Sequence, residues 1–581
     1  MKKLLVKLIC TIVTLVMMIS LTVGCGSGTE EDKNTENSGQ TAAQTAGTGD
    51  ETQDSAKTEA KPPVSFSVWL GEAWLIPTVN TNFDDPIAQK IKEKTGVSFE
   101  FTTAKSNEWQ NELNIMMASG DLPDLIEQDG SYISKLKAGG YIISLDELIE
   151  KHAPNMKARL GEAMKFWGEL DDGKLYQTKT WMWNNPKYVL PIRGPYLMMR
   201  HDILKQIGYA NLDKNSTSNI TWDEYVALLK SVKEKFPDMI PLEIGDDIFS
   251  TFNIIKGSTG VKQAISGAST SSFGYEDNMA KYIYDSVHTL DVLKFLNGLY
   301  NSKLVDKSFA TLKLDQIKSK IASGKVFSYL GEGTPVGDSF QAVIGDQEER
   351  RYTMFNLVKD ASVNRTYVNG YYISGVGSLS ISSSCKDPER VVQFFDFCAG
   401  EEGSMLLDAG VEGTHYTKDS SGKVIPDPEC SKAYANWDTT YFQKVGLTSY
   451  ENVFPTLAGL NADGNASDIF AQEMYTNNKW NVFDNKWWEN FMYRGDYFTG
   501  ILTFNPDTQQ DANDAYAKIQ GYADNRIRRC IIVEPENLEK EWNNLYEQIK
   551  KDGVVKVNEA LTSNLQNRLK FLGSTIEEAF K

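Results

Sequence analysis

The stretch TKTWMWNNPKY, residues 178–188, sets Trp181 and Trp183 on alternate positions of a polar run and follows them with Asn184, Asn185 and Pro186. In an extended chain alternate side chains share a face. Both indoles would then point one way, opposite Thr180 and Met182. Indole faces cover flat apolar surfaces at little conformational cost, and short amides beside them can bond hydroxyls. That combination performs recognition rather than covalent chemistry. VSFSVWLGEAW (64–74) repeats it, with Trp69 and Trp74 flanking Glu72 as an acceptor. Asp129, in IEQDG, holds the equivalent place after another extended run. Ligands of open α/β sheets collect beyond the carboxyl ends of strands, so Trp74, Glu72 and Asp129 are well placed, while Trp69 is equally suited to a core. Trp437 stands in YANWDTTYF as a further exposed platform. Trp480, Trp487 and Trp488 crowd a segment read as mainly structural. Each assignment has a plain alternative: core packing for the rings, a turn for Asn184 and Asp129.

Covalent and metal chemistry find little material. HExxH, GxSxG, the P-loop and the dinucleotide fingerprint are absent. The chain has four histidines, His152, His201, His288 and His415, in unrelated contexts. With 78 acidic residues, two carboxylates could still meet at glycosidase spacing, so a glycan-active enzyme stays open as an alternative. DKNSTSNITWDE (213–224) places oxygens as a calcium loop does, but it lacks the turn glycine and its end reads as a helix start. No metal or cofactor is expected. Sixty basic residues against 78 acidic ones give a net charge of −18, which argues against nonspecific nucleic-acid binding. Cys385, Cys398, Cys430 and Cys530 show no metal-ligand spacing and favour no pairing.

The elements that must hold these residues alternate. VSFSVWL (64–70) is a strand; Asp85 and Pro86 cap and start a helix that Gly96 stops. VSFEFTT (97–103) is a second strand. Ser106 caps a helix striped by Trp109, Leu113, Met116 and Met117, after which DLPDLIE is extended again. This is the βαβ grammar of a largely parallel sheet. TWDEYVALLKSVKEKF (221–236), LDVLKFLNGLYNSKLV (290–305), KDPERVVQFFDFCAGEEG and the last segment, PENLEKEWNNLYEQIKKDGV, read as helices. About 518 residues after Pro63 exceed one ordinary core and favour two or more domains.

At the amino end, lysines 2, 3 and 7 precede an apolar run from Leu8 to Val23, too short and interrupted to span a membrane and typical of an export signal. The junction at Gly24-Cys25 resembles a bacterial lipoprotein signal, with Thr22 where that signal prefers leucine. Gly26 to Pro63 carries no aromatic and no large aliphatic residue, the composition of a flexible tether.

Five segments taken together, ELNIMMASGDLPDLI (112–126), DDGKLYQTKTWMWNN (171–185), PYLMMRHDILKQIG (195–208), CKDPERVVQFFDFCAGEEG (385–403) and GVEGTHYT (410–417), resemble the extracellular solute-binding proteins of family 1, and within it the large Gram-positive lipoproteins of carbohydrate ABC importers. The resemblance implies an α/β, two-lobed periplasmic-binding-protein-like fold of type II. Its divisions would be 1–24 signal, 25–63 tether, 64–190 first part of lobe one and 191–365 lobe two. Residues 366–400 would return to lobe one, and 401–581 form a C-terminal region packing on both lobes. It further implies an oligosaccharide held between the lobes, delivery to permease subunits, and anchoring at the outer face of the cell membrane through a lipid on Cys25. Trp181, Trp183 and Asn184 would then line the cleft wall. Arg193 and one of Tyr371 and Tyr372 would sit in the crossing segments, near ligand or hinge. A surface adhesin without transport is the main competitor. Neutral and uronic sugars are not distinguished.

Overall fold

The computed structural model describes residues 62–581 apart from 106–108, 170–171, 184–194, 210, 266–271, 334–335, 371–373, 459–466, 471–481, 484–491, 499, 503 and 506–507. These residues fall within one compact unit, Ala60–Lys581, built on two mixed sheets flanked by helices.

In the first sheet, β1 (Val64–Leu70) lies between β2 (Val97–Thr103) and β3 (Leu125–Gln128), parallel to both. The strand Ser374–Ile381 then runs antiparallel between β3 and β4 (Thr178–Trp183), and Leu457–Ala458 closes the edge beside β4. The second sheet runs in the order Val482–Phe483, Tyr352–Val358, Pro195–Arg200, Val326–Glu332, Ile240–Ile244. Sheet membership thus changes between Trp183 and Pro195, and again between Val358 and Ser374.

Alternation in β1 divides its side chains between two cores. Phe66, Val68 and Leu70 join Phe99, Phe394 and Phe454, whereas Trp69 joins Trp109, Leu113 and Leu136 on the other face. Burying each large apolar side chain contributes roughly 1.5–3 kcal/mol. The helix Pro86–Thr95 starts as its sequence dictates: Asp85 Oδ1 accepts from the Ile87 and Ala88 amides, both at 2.9 Å, and Gly96 stops it at φ 67°. In the second half, Leu197, Leu242, Ile244 and Leu330 share one core with the C-terminal helices Gln510–Ile532, Pro535–Lys551 and Val554–Phe571.

Two elements differ from the sequence reading. The helix expected over 290–305 spans Thr289–Asn301; Lys303 takes φ 57°, and the chain then pairs with the second sheet through Leu242 N to Leu304 O at 3.0 Å. Sheet pairing of Leu304 and Val305 outweighs their helical periodicity. Beyond Pro535–Lys551, the reading's last helix, the chain forms another, Val554–Phe571. In 213–224, Thr221 and Glu224 are spent on each other in a capping box that opens the helix Trp222–Lys235, so Glu224 is committed to the backbone.

Candidate functional site

The carboxyl ends of β1 and β3 meet through a glycine. The Gly71 amide donates to Glu127 O at 3.1 Å and to Glu127 Oε2 at 3.2 Å. A Cβ at Gly71 would approach Glu127 O to 2.9 Å, so only glycine admits this contact. The Glu72 amide adds a longer bond to Glu127 Oε2 at 3.4 Å. Through Oε1, Glu72 accepts from Trp74 Nε1 at 3.0 Å. Trp74 is 42% exposed, and with its N–H engaged the ring faces are what it offers.

A second glycine brings two carboxyls together. Glu72 Oε2 and Glu127 Oε1 have no hydrogen-bond partner among the described residues. Both lie near Gly377, at 3.5 and 3.2 Å from where its Cβ would sit, with Thr180 Oγ1 also at 3.2 Å. Gly377 has φ +59°, a conformation that suits glycine. From β4, the Lys179 ammonium donates to Ser378 Oγ at 2.6 Å.

Burial decides the protonation of this cluster. Glu127 is fully buried; desolvation, reinforced by Glu72, holds its carboxyl well above the usual range. Burial also raises Glu72, opposed by the Trp74 N–H. One proton between the two orphan oxygens would satisfy both. Burial pulls Lys179 down to about 8 against the pull of Glu72, Asp129, Glu169 and Glu127.

Other expected residues fall as follows. Trp69 is 3% exposed and packs on Trp109 with ring centroids 6.3 Å apart; its ring belongs to the core. Asp129 is exposed on the rim and its Oδ1 accepts from the Ser131 amide at 2.8 Å, so it also forms the turn. Trp437 is 48% exposed, at φ 50°, edge-on to Phe442 at 5.4 Å. Its segment is tied to the Trp74 loop: Gln443 Nε2 donates to Pro77 O and Ser449 Oγ to Thr78 O, both at 2.9 Å. Trp181 and Trp183 belong to β4 by backbone, Trp183 pairing with Ser374 and Ala458; their side chains, like Asn184, Arg193, Tyr371, Trp480, Trp487, Trp488 and Cys25, lie outside the described residues. His415 is buried, taking the Val411 amide on Nδ1 and facing Val445 O with Nε2, each at 2.9 Å; it braces its own loop.

Sequence reasoning missed Glu127, Lys179, Thr180 and Gly377. Lys179 had a signal, standing two residues before Trp181. Nothing in the sequence pairs Glu72 with Glu127, because the contact depends on parallel register 55 residues away.

Residues 77–405 match the family described as bacterial extracellular solute-binding protein. Lipoprotein LipO of Bacillus subtilis is 22% identical over 490 residues, 81% of this chain and 86% of LipO. The fold is similar to that of an extracellular solute-binding protein from Bifidobacterium longum subsp. infantis, with TM-score 0.68 at 17% identity over 88% of this chain and 99% of that one. It is also similar to that of FusA from Streptococcus pneumoniae in complex with kestose, with TM-score 0.60 at 15% identity over 87% and 100%. These likenesses identify the two mixed sheets as the bilobed, periplasmic-binding-protein-like fold. With more than half its length matched, the chain belongs to the family of bacterial extracellular solute-binding proteins, and so to binding proteins rather than enzymes.

Proposed function

We propose that this protein is the oligosaccharide receptor of an ABC importer, held at the outer face of the membrane by a lipid on Cys25 and joined to its lobes by the polar segment before residue 64. Sugar binds noncovalently between the lobes, and contacts available only in the closed form shift the population toward closure. Permease subunits then meet the closed receptor. The observation that carries the reading is Trp74, an open indole fixed by Glu72 beside a carboxyl pair at the carboxyl ends of β1 and β3. Ring faces suit the C–H surfaces of a pyranose or furanose, and carboxyl oxygens suit its hydroxyls. The name of FusA, a fructooligosaccharide ABC transporter substrate-binding protein 33% identical over 95 residues, supports the same substrate class. The segments holding Trp181, Trp183, Asn184, Arg193 and Tyr371 would supply the rest of the cleft, with Trp437 at its edge.

Titration of the protein with a panel of oligosaccharides, followed by tryptophan fluorescence, tests this. A saturable change with at least one sugar, without shortening of that sugar over time, is the expected outcome. Retention of no sugar, or progressive hydrolysis, would count against it.

A further inference from the structure

Among the described residues the first sheet's side of this site is acidic, and the ammonium beside it, Lys179, is already committed. Glu72, Glu127 and Asp129 converge there. Lys179 turns its ammonium to Ser378 Oγ at 2.6 Å and is faced by Glu72, Asp129, Glu169 and Glu127. Glu169 itself accepts from Ser134 Oγ at 3.0 Å. Glu127 is 0% exposed, and its Oε1 lacks a partner among the described residues, as does Glu72 Oε2; both oxygens are buried beside Gly377, so the half-buried Glu72 and the exposed Asp129 are the carboxyls a ligand can reach.

We propose that this wall selects a neutral, hydroxyl-donating sugar residue and rejects a uronate, so that the ligand is an uncharged oligosaccharide. The inference rests on the oligosaccharide-receptor reading above and narrows it. A sugar hydroxyl can donate to the half-buried Glu72 or the exposed Asp129, and charge on the acceptor strengthens such a bond. Among the described residues, a ligand carboxylate in the same place faces the carboxyls of Glu72 and Asp129. It must take a proton, displace Lys179 from Ser378, or sit against Glu72 and Asp129, where like charges at close range repel. Asp129 on the rim extends the repulsion to the approach.

Matched panels separate the possibilities. Isothermal titration of the full chain near pH 7 would compare maltotetraose, cellotetraose, mannotetraose and kestose with tetragalacturonate and tetramannuronate. A neutral sugar should bind, and each uronate should bind at least about tenfold more weakly. In Glu72→Gln/Asp129→Asn that ratio should narrow severalfold; Asn keeps the acceptor of the Asp129 turn, and thermal melting confirms folding. If a uronate binds as tightly as the best neutral sugar, the selectivity inference is wrong while the receptor reading stands. If neither class binds, the receptor reading fails and takes this inference with it. The wild-type panel alone decides both points should the double variant misfold.

Discussion

Two tryptophans five residues apart have opposite fates, and only the strand's end separates them. Trp69 is inside β1 and closes a core with Trp109; Trp74 is past the turn at Gly71, its N–H held by Glu72. Trp69→Ala should cost about 3–5 kcal/mol of stability, measured by denaturant unfolding. Trp74→Ala should leave unfolding nearly unchanged and weaken sugar binding roughly tenfold, a ring-stacking loss of ~1.5 kcal/mol. The reverse pattern would move the site away from this loop. Gly377 offers a finer test. Alanine there must adopt φ near +59° and set a methyl against both carboxyls, so Gly377→Ala should destabilise by about 1–3 kcal/mol and reduce binding together. The sequence announced Trp74 and Glu72 because local order places them after an alternating strand. It was silent about Gly377, whose importance comes entirely from Glu127 and Thr180 arriving from other strands.

Among elements, those with local grammar were legible and those fixed by distant pairing were not. Asp85-Pro86 and the opening of TWDEYVALLKSVKEKF each marked a helix start that the backbone adopts. The helix ending at Asn301 and the edge strand Leu457–Ala458 could not be read, since a neighbouring strand defines each. That edge is held by buried acids. Thr456 Oγ1 donates to Asp408 Oδ1 at 2.6 Å, and Met182 N of β4 donates to Thr456 O at 2.9 Å. Burial pushes the Asp408 carboxyl up to about 7, with Asp468 adding to the rise and Arg159 opposing it. Burial, with Asp408 and Asp468, also holds Glu451 well above its ordinary value. Because the folded-state value of Asp408 exceeds the unfolded one, its contribution is complete below about pH 4 and is lost as pH rises to about 7. The melting temperature should therefore fall between about pH 4 and pH 7 and level off above. Asp408→Asn should flatten that slope, recovering up to about 4 kcal/mol at the alkaline end. An unchanged slope in the variant would assign the pH dependence to other groups.

At the scale of the whole molecule, the C-terminal helices touch the surroundings of both sheets. They share the second sheet's core, yet the helix Val554–Phe571 also reaches the segment flanking the first. Arg568 Nη1 donates to Gly168 O at 3.2 Å, Phe571 comes within 2.8 Å of a Cβ position at Gly173, and Tyr497 meets Phe166 edge-on at 5.4 Å. Arg568 is 2% exposed, and burial lowers it to about 10 while Glu169 opposes the shift. Such a brace, away from the Trp74 loop in sequence, would limit opening without touching sugar. Closure around a ligand predicts that the radius of gyration, near ~24 Å for a compact unit of this size, falls on adding a sugar that binds. Arg568→Ala strips a buried carbonyl of its donor, which costs about 1–3 kcal/mol, and it loosens the brace. Small-angle scattering should then show a larger radius than wild type without sugar, and a larger decrease when sugar is added. If the free proteins scatter identically and the sugar-bound change is the same, this contact is packing alone and the hinge is governed by the two crossing segments.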